Sequence, residues 1–279
     1  MRSQPTLPTL TGPDAGLHET LHVLGERRRV LKLFGGLGAV ALLPRGALAC
    51  TLIPTEIAGP FPGDGTNGPN ALALGGIVRS DIRSSFGSFG SDVAAGTPVT
   101  LTLQLMSTTT DCVPLAGLAV YIWQCDAVSG YSMYTDAAVN ENYLRGVQVS
   151  DAEGKVVFVT VYPGCYAGRW PHLHIEVFAS LAAATNGNAA VSTSQIALPE
   201  STSRDVYAQA SLYPGSTGNL DNITLATDIS FSDDDGVTQT PTMTGDNAAG
   251  YAAFLEVGVA LDPQVSDDIF VDGFDDAAA

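Results

Sequence analysis

Only four of the 279 residues are histidine, at positions 18, 22, 172 and 174, and the last two lie in the run His172-Leu173-His174-Ile175-Glu176-Val177-Phe178-Ala179. In a strand, side chains two apart share a face, so His172, His174, Glu176 and Phe178 would line one side and Leu173, Ile175, Val177 and Ala179 the other. The aliphatic side supplies a core, and the histidine side is then free to bind. Paired imidazoles at this spacing offer two nitrogen donors to one metal ion, although the same pattern also describes a solvated strand face. The neighbourhood adds further donors. Tyr166 follows the tight turn Tyr162-Pro163-Gly164-Cys165, and Arg169 precedes His172 by three residues. A second tyrosine, Tyr131, ends the segment Trp123-Gln124-Cys125-Asp126-Ala127-Val128-Ser129-Gly130. Taken singly, Tyr166 is equally well a packing aromatic with its hydroxyl at a wet edge. Zinc held by His172, His174 and a carboxylate such as Asp126 or Glu176 would instead give a metal-dependent hydrolase.

The elements that must position these residues read as strands. Val99, Leu101, Leu103 and Leu105 alternate with Thr100, Thr102 and Gln104, the period of a half-buried strand. Further strands are predicted at 119–125, 147–150, 155–162, 172–179, 222–229 and 251–260, separated by Gly, Pro, Asp and Ser turns. No long helical period occurs after residue 49, so the fold class is all-β, a sandwich. Residues 50–95 form an irregular arm and a Ser/Gly-rich loop, 96–262 the sandwich, and 263–279 a short acidic and aromatic tail. The segment 233–246 reads as an acidic, Thr-rich connection.

Composition narrows the function. Lys and Arg number 12 against 29 Asp and Glu, a formal net charge of -17. With no basic stripe to displace counterions from phosphates, nucleic acid is excluded as a partner. Residues 1–49 read as a cleaved export signal: Arg27-Arg28-Arg29, then an apolar run from Leu33 to Leu43 too short to span a bilayer, then Ala47-Leu48-Ala49. The paired arginines resemble a twin-arginine signal, which exports folded proteins. The mature chain is therefore expected to have no membrane span and to lie in the periplasm or outside the cell. In such an oxidising compartment Cys50, Cys112, Cys125 and Cys165 allow up to two disulfides, with three pairings open.

The segments 123–132, 144–154 and 162–174, with the arm Pro54-Thr55-Glu56-Ile57-Ala58-Gly59-Pro60-Phe61, Asp81-Ile82, Gln195 and Gly250-Tyr251, together resemble the intradiol ring-cleavage dioxygenases, most nearly the exported single-domain kind. The ordered set Tyr131, Tyr166, Arg169, His172, His174 is far more specific than any one motif. The resemblance implies a non-haem iron(III), Fe(3+), with Tyr131 and His172 as equatorial and Tyr166 and His174 as axial ligands. Phenolates are hard anionic donors that suit iron(III), whereas iron(II) oxygenases use two histidines and one carboxylate. It further implies a catechol-type substrate opened between its hydroxyls by O2 to a cis,cis-muconate-type diacid. Arg169 would stabilise negative charge on the ring, and Gln195 would lie by the ring and oxygen pocket. Cys165 departs from the family, where a bulky aromatic is common, and so does Val128-Ser129, where an acidic residue or Gly is more usual. The alternative is a non-catalytic β-sandwich binding module of the transthyretin-like or surface-protein type, which accounts for the scaffold and not for the tyrosines, Arg169 and the histidine pair.

Overall fold

The computed structural model describes residues 50–263. Residues 1–49, read from the sequence as an export signal, and nearly all of the tail lie outside the described residues.

Among the described residues, eight strands form two four-stranded sheets. They are β1 (Pro98–Ser107), β2 (Ala119–Trp123), β3 (Arg145–Val149), β4 (Lys155–Val161), β5 (His172–Phe178), β6 (Ser192–Ala197), β7 (Thr242–Asp246) and β8 (Gly250–Val259). One sheet runs β4-β1-β8-β7, the other β3-β2-β5-β6. All pairings are antiparallel except β1 with β8, in register Val99 opposite Tyr251 through Ser107 opposite Val259. Leu101, Leu103 and Leu105 of β1 meet Val120 and Ile122 of β2 and Leu173, Ile175 and Val177 of β5 in one apolar core. The alternation read from these strands is thus what joins the sheets.

The second sheet carries apolar contacts on its other face as well. Ala119, Tyr121 and Trp123 of β2, Val147 and Phe178 pack with Ala71, Leu72 and Ile77 of the N-terminal segment and with Tyr131. Every residue of β5 is consequently buried. The expectation of an open histidine face is corrected here: the arm before β1 covers it.

That cover depends on two glycines. Gly59 and Gly63 take positive φ of 74° and 62°, conformations that cost other residues strain. A Cβ on Gly63 would stand 2.7 Å from Nη1 of Arg145. Arg145 explains the close approach: fully buried, it donates from Nη1 to Pro62 O (2.6 Å) and Tyr121 Oη (3.0 Å), and from Nη2 to Phe61 O (3.0 Å) and Ser132 O (2.9 Å). One guanidinium therefore ties the arm, β2 and the loop after Tyr131 together.

The segment 222–229 is not a strand. Thr224 and Thr227 form a capping box around the single 3-10 turn Leu225–Thr227, and these local side-chain bonds compete with strand pairing. Two pieces of sheet escaped the sequence reading: β6, whose Ser, Thr and Gln content hides its period, and β7, inside the supposed connection 233–246. Two short helices, α1 (Glu200–Tyr207) and α2 (Ser216–Leu220), follow β6. Cys50 and Cys112 form a disulfide, while Cys125 and Cys165 are buried free thiols. No helix among the described residues is long and apolar enough to cross a membrane.

Candidate metal centre

Four side chains from three places in the chain converge. His172 and His174 start β5 on the covered face. Tyr131 ends the turn that follows β2, a turn organised by Asp126, whose Oδ1 accepts from the N–H groups of Val128 (3.0 Å) and Gly130 (2.8 Å). Asp126 O also accepts from Gly164 N (2.9 Å), which binds this turn to the next one. Tyr166 follows that second turn, fixed from behind by Ser216 Oγ, which accepts from Cys165 N, and by Asn219 Nδ2, which donates to Cys165 O.

The four donor atoms form a closed ring. Tyr131 Oη lies 3.4 Å from Tyr166 Oη and 3.4 Å from His174 Nε2, while His172 Nε2 lies 3.2 Å from Tyr166 Oη and 3.2 Å from His174 Nε2. Donors bound to a single first-row ion at about 2 Å stand roughly 3 to 3.5 Å apart, so these spacings fit one ion in their midst. The tautomer of His172 agrees with this. Nδ1 of His172 lies 2.5 Å from Trp170 O; a carbonyl only accepts, so Nδ1 carries the proton and Nε2 turns a lone pair to the centre. Trp123 stacks on the His174 ring at 4.8 Å and 5°, fixing its plane.

Burial keeps the unmetallated site neutral. Desolvation pushes His172 down to about 3, with the Arg169 charge adding to it, and pushes His174 well below the usual histidine value. It pushes both phenols up, Tyr131 well above the ordinary tyrosine value. Neutral imidazoles are the ligand form, and a highly charged cation reverses the phenol preference by favouring phenolate. Among the described residues no group of three or more His, Cys, Asp and Glu converges as a metal site; two of the donors here are tyrosines. Asp126 is absorbed in its turn and in accepting from Tyr143 Oη (3.0 Å). Glu176 interacts with Asp64 and is pushed up to about 8, chiefly by burial. Neither carboxylate joins the ring of donors, which removes the basis of the zinc-hydrolase reading.

Arg169 and Gln195 stand together beside this ring. Nη2 of Arg169 donates to Gln195 Oε1 at 2.5 Å, and Gln195, opposite His174 in the β5–β6 register, donates from Nε2 to Ile57 O of the arm (2.8 Å). Arg169 is also paired with Asp228, Nε to Oδ2 at 2.9 Å. Asp228 is a supporting residue that sequence reasoning passed over, and Arg145, within the segment 144–154, was given no role by it. Asp228 sat inside a segment read as a strand, and Arg145 lay two residues before the strand read at 147–150.

Residues 79–189 match the model of the dioxygenase family. Among solved structures, the chain is similar to the crystal structure of a dioxygenase, with 26% identity, a TM-score of 0.59 and coverage of 77% of this chain and 98% of that one. It is similar also to an intradiol ring-cleavage dioxygenase from Tetranychus urticae, with 26% identity, a TM-score of 0.56 and the same coverages of 77% and 98%. No curated protein matches the chain.

Proposed function

We propose that this chain, which resembles the intradiol ring-cleavage dioxygenases in sequence pattern and fold, is an iron(III) enzyme that opens catechol-type rings between their hydroxyls. The bond between the two hydroxyl-bearing carbons breaks, each of those carbons becomes a carboxyl, and both atoms of O2 enter the diacid with no other atom gained or lost. The observation that carries this reading is the ring of two phenol oxygens and two imidazole nitrogens spaced at 3.2 to 3.4 Å. Two hard anionic oxygens beside two nitrogens suit iron(III) better than zinc or iron(II). Iron(III), once bound, would supply the Lewis acidity that prepares a chelated ring for reaction with O2.

The protein's own groups divide the remaining work. Tyr131 and Tyr166 would hold the iron as phenolates, having given up their phenol protons. Tyr166 is the less buried of the two, so its Oη is the oxygen placed to take a proton from an arriving catechol hydroxyl. Arg169 donates hydrogen bonds to negative charge gathering on the ring, and Gln195 and Asp228 together hold its guanidinium. Phe61, its ring 5.1 Å from that of Tyr131, and Trp123 on His174 keep water from the inner donors.

The supply of cations supports a neutral substrate. Arg83 is paired with Asp81 and Arg204 with Glu200 and Asp221. Arg79 and Arg145 donate to backbone carbonyls, and Lys155 begins β4 in the other sheet. Arg169, the cation beside the ring of donors, is itself paired with Asp228, so neutral catechols are the expected substrates. With residues 1–49 acting as an export signal, the enzyme would work in the periplasm or outside the cell.

The visible spectrum of the aerobically purified protein, before and after catechol, tests the proposal. A red-brown tyrosinate-to-iron(III) band that shifts on adding catechol is expected. A protein that stays colourless after iron loading, and inert to catechol, would refute it.

A further inference from the structure

Arg169 has three kinds of donor position on its guanidinium, and the protein occupies two of them. Asp228 accepts from Nε at 2.9 Å and from Nη2 at 3.3 Å. Nη2 also donates to Gln195 Oε1 at 2.5 Å and to Ser230 Oγ at 3.3 Å. Among the described residues nothing accepts from Nη1. Asp228 is itself fully buried and fixed: its Oδ2 also accepts from Trp170 N (2.6 Å) and its Oδ1 from Ser230 N (2.9 Å). A carboxylate with four N–H partners cannot turn without breaking several bonds, and a planar guanidinium gripped along one edge inherits its orientation. Asp228 lies outside the residues that match the dioxygenase family.

We infer that Asp228 is a positioning residue for ring opening and a determinant of substrate charge: its grip on Nε and Nη2 leaves Nη1 to serve the substrate, and its carboxylate cancels the positive charge that a carboxylated ring would seek. The inference rests on the proposed function. Its physical basis is that a buried ion pair is neutral overall. Nη1 can still donate a hydrogen bond to an oxygen acquiring charge, while an anionic substituent brought beside the pair meets a carboxylate as well as a guanidinium. Selection against a ring carboxylate then comes from Asp228.

The test compares the purified, iron-loaded wild type with Asp228→Asn, titrating catechol and 3,4-dihydroxybenzoate without oxygen by the visible band and then measuring turnover. Wild type should bind catechol about tenfold or more tighter than the carboxylated ring. Asn keeps the shape and one acceptor oxygen but no charge. D228N, with iron content unchanged, should lose about ten- to a hundredfold in kcat on catechol, while the preference in binding shrinks about tenfold because the carboxylated ring gains affinity. Asp228→Glu should recover part of the preference. A split of this kind, kcat falling for one ring and binding improving for the other, is not what simple loosening of the fold produces. If D228N cleaves catechol with the wild-type preference between rings, the inference fails while the proposed function stands. If D228N does not fold, the wild type decides: equal or tighter binding of 3,4-dihydroxybenzoate overturns the inference, and a tenfold preference for catechol supports it. A wild type that takes up iron and binds neither ring overturns both.

Discussion

His172 and His174 are buried, uncharged and differently braced, one by the Trp170 carbonyl and one by the Trp123 indole. Removing a proposed ligand should differ from removing Arg169. His174→Ala is expected to purify colourless and to retain little iron by metal analysis, because a buried nitrogen donor is lost from the ring. Arg169→Ala should keep the tyrosinate band and lose ring opening by at least about a hundredfold in kcat, the scale of an electrostatic donor. Glu176 gives a third prediction, this time in pH. Burial, with Asp64 beside it, raises its carboxyl from 4.5 to about 8. The folded protein thus keeps a proton that the unfolded chain releases, and this contribution to stability is complete below 4.5 and lost as pH climbs through 8. Glu176→Gln, always neutral, should melt near the wild-type temperature at about pH 5 and above it at about pH 9, read by calorimetry.

Strands that pair a clear alternation with flanking turns were legible: β1, β4, β5 and β8 lie where the period-2 runs put them. With them came the placement of Tyr131, Tyr166, His172 and His174, since both tyrosines follow Gly-containing turns at the strand ends. The loop carrying Asp228 was not legible. Ile223 and the threonines around it have strand-forming side chains, yet Thr224 and Thr227 bond locally and Asp228 faces a guanidinium 59 residues away in sequence. Period and propensity describe neighbours along the chain, and neither registers a partner brought in by tertiary structure. The covered histidine face was missed for the same reason, because its roof comes from residues near 57–63. Arg145 fastens that roof, so Arg145→Leu should cost about 3 kcal/mol or more, leaving several buried carbonyls without donors. A denaturant titration would read this, and an unchanged midpoint would contradict it.

For the molecule as a whole, the disulfide between Cys50 and Cys112 anchors the start of the described chain to the loop after β1, 62 residues on. Closing a loop of that length limits the unfolded ensemble, by about 4 kcal/mol in the chain-entropy account. Cys50→Ser combined with Cys112→Ser should therefore lower the melting temperature, with the tyrosinate band persisting at low temperature because neither sulfur touches a donor. A double variant with wild-type melting would mean that the arm is held by its hydrogen bonds alone.

The parallel pairing of β1 with β8 also governs how the molecule is made. The sheet that bears the histidines is built from strands within 119–197, whereas the other sheet requires Val99 to find Tyr251 and Leu105 to find Val257. Loops of that span close late and slowly. Refolding should then show the histidine-bearing sheet protected from hydrogen exchange before β1 and β8, and a polypeptide still emerging from the ribosome would have its proposed metal ligands assembled while half of the sandwich waits for its last strand.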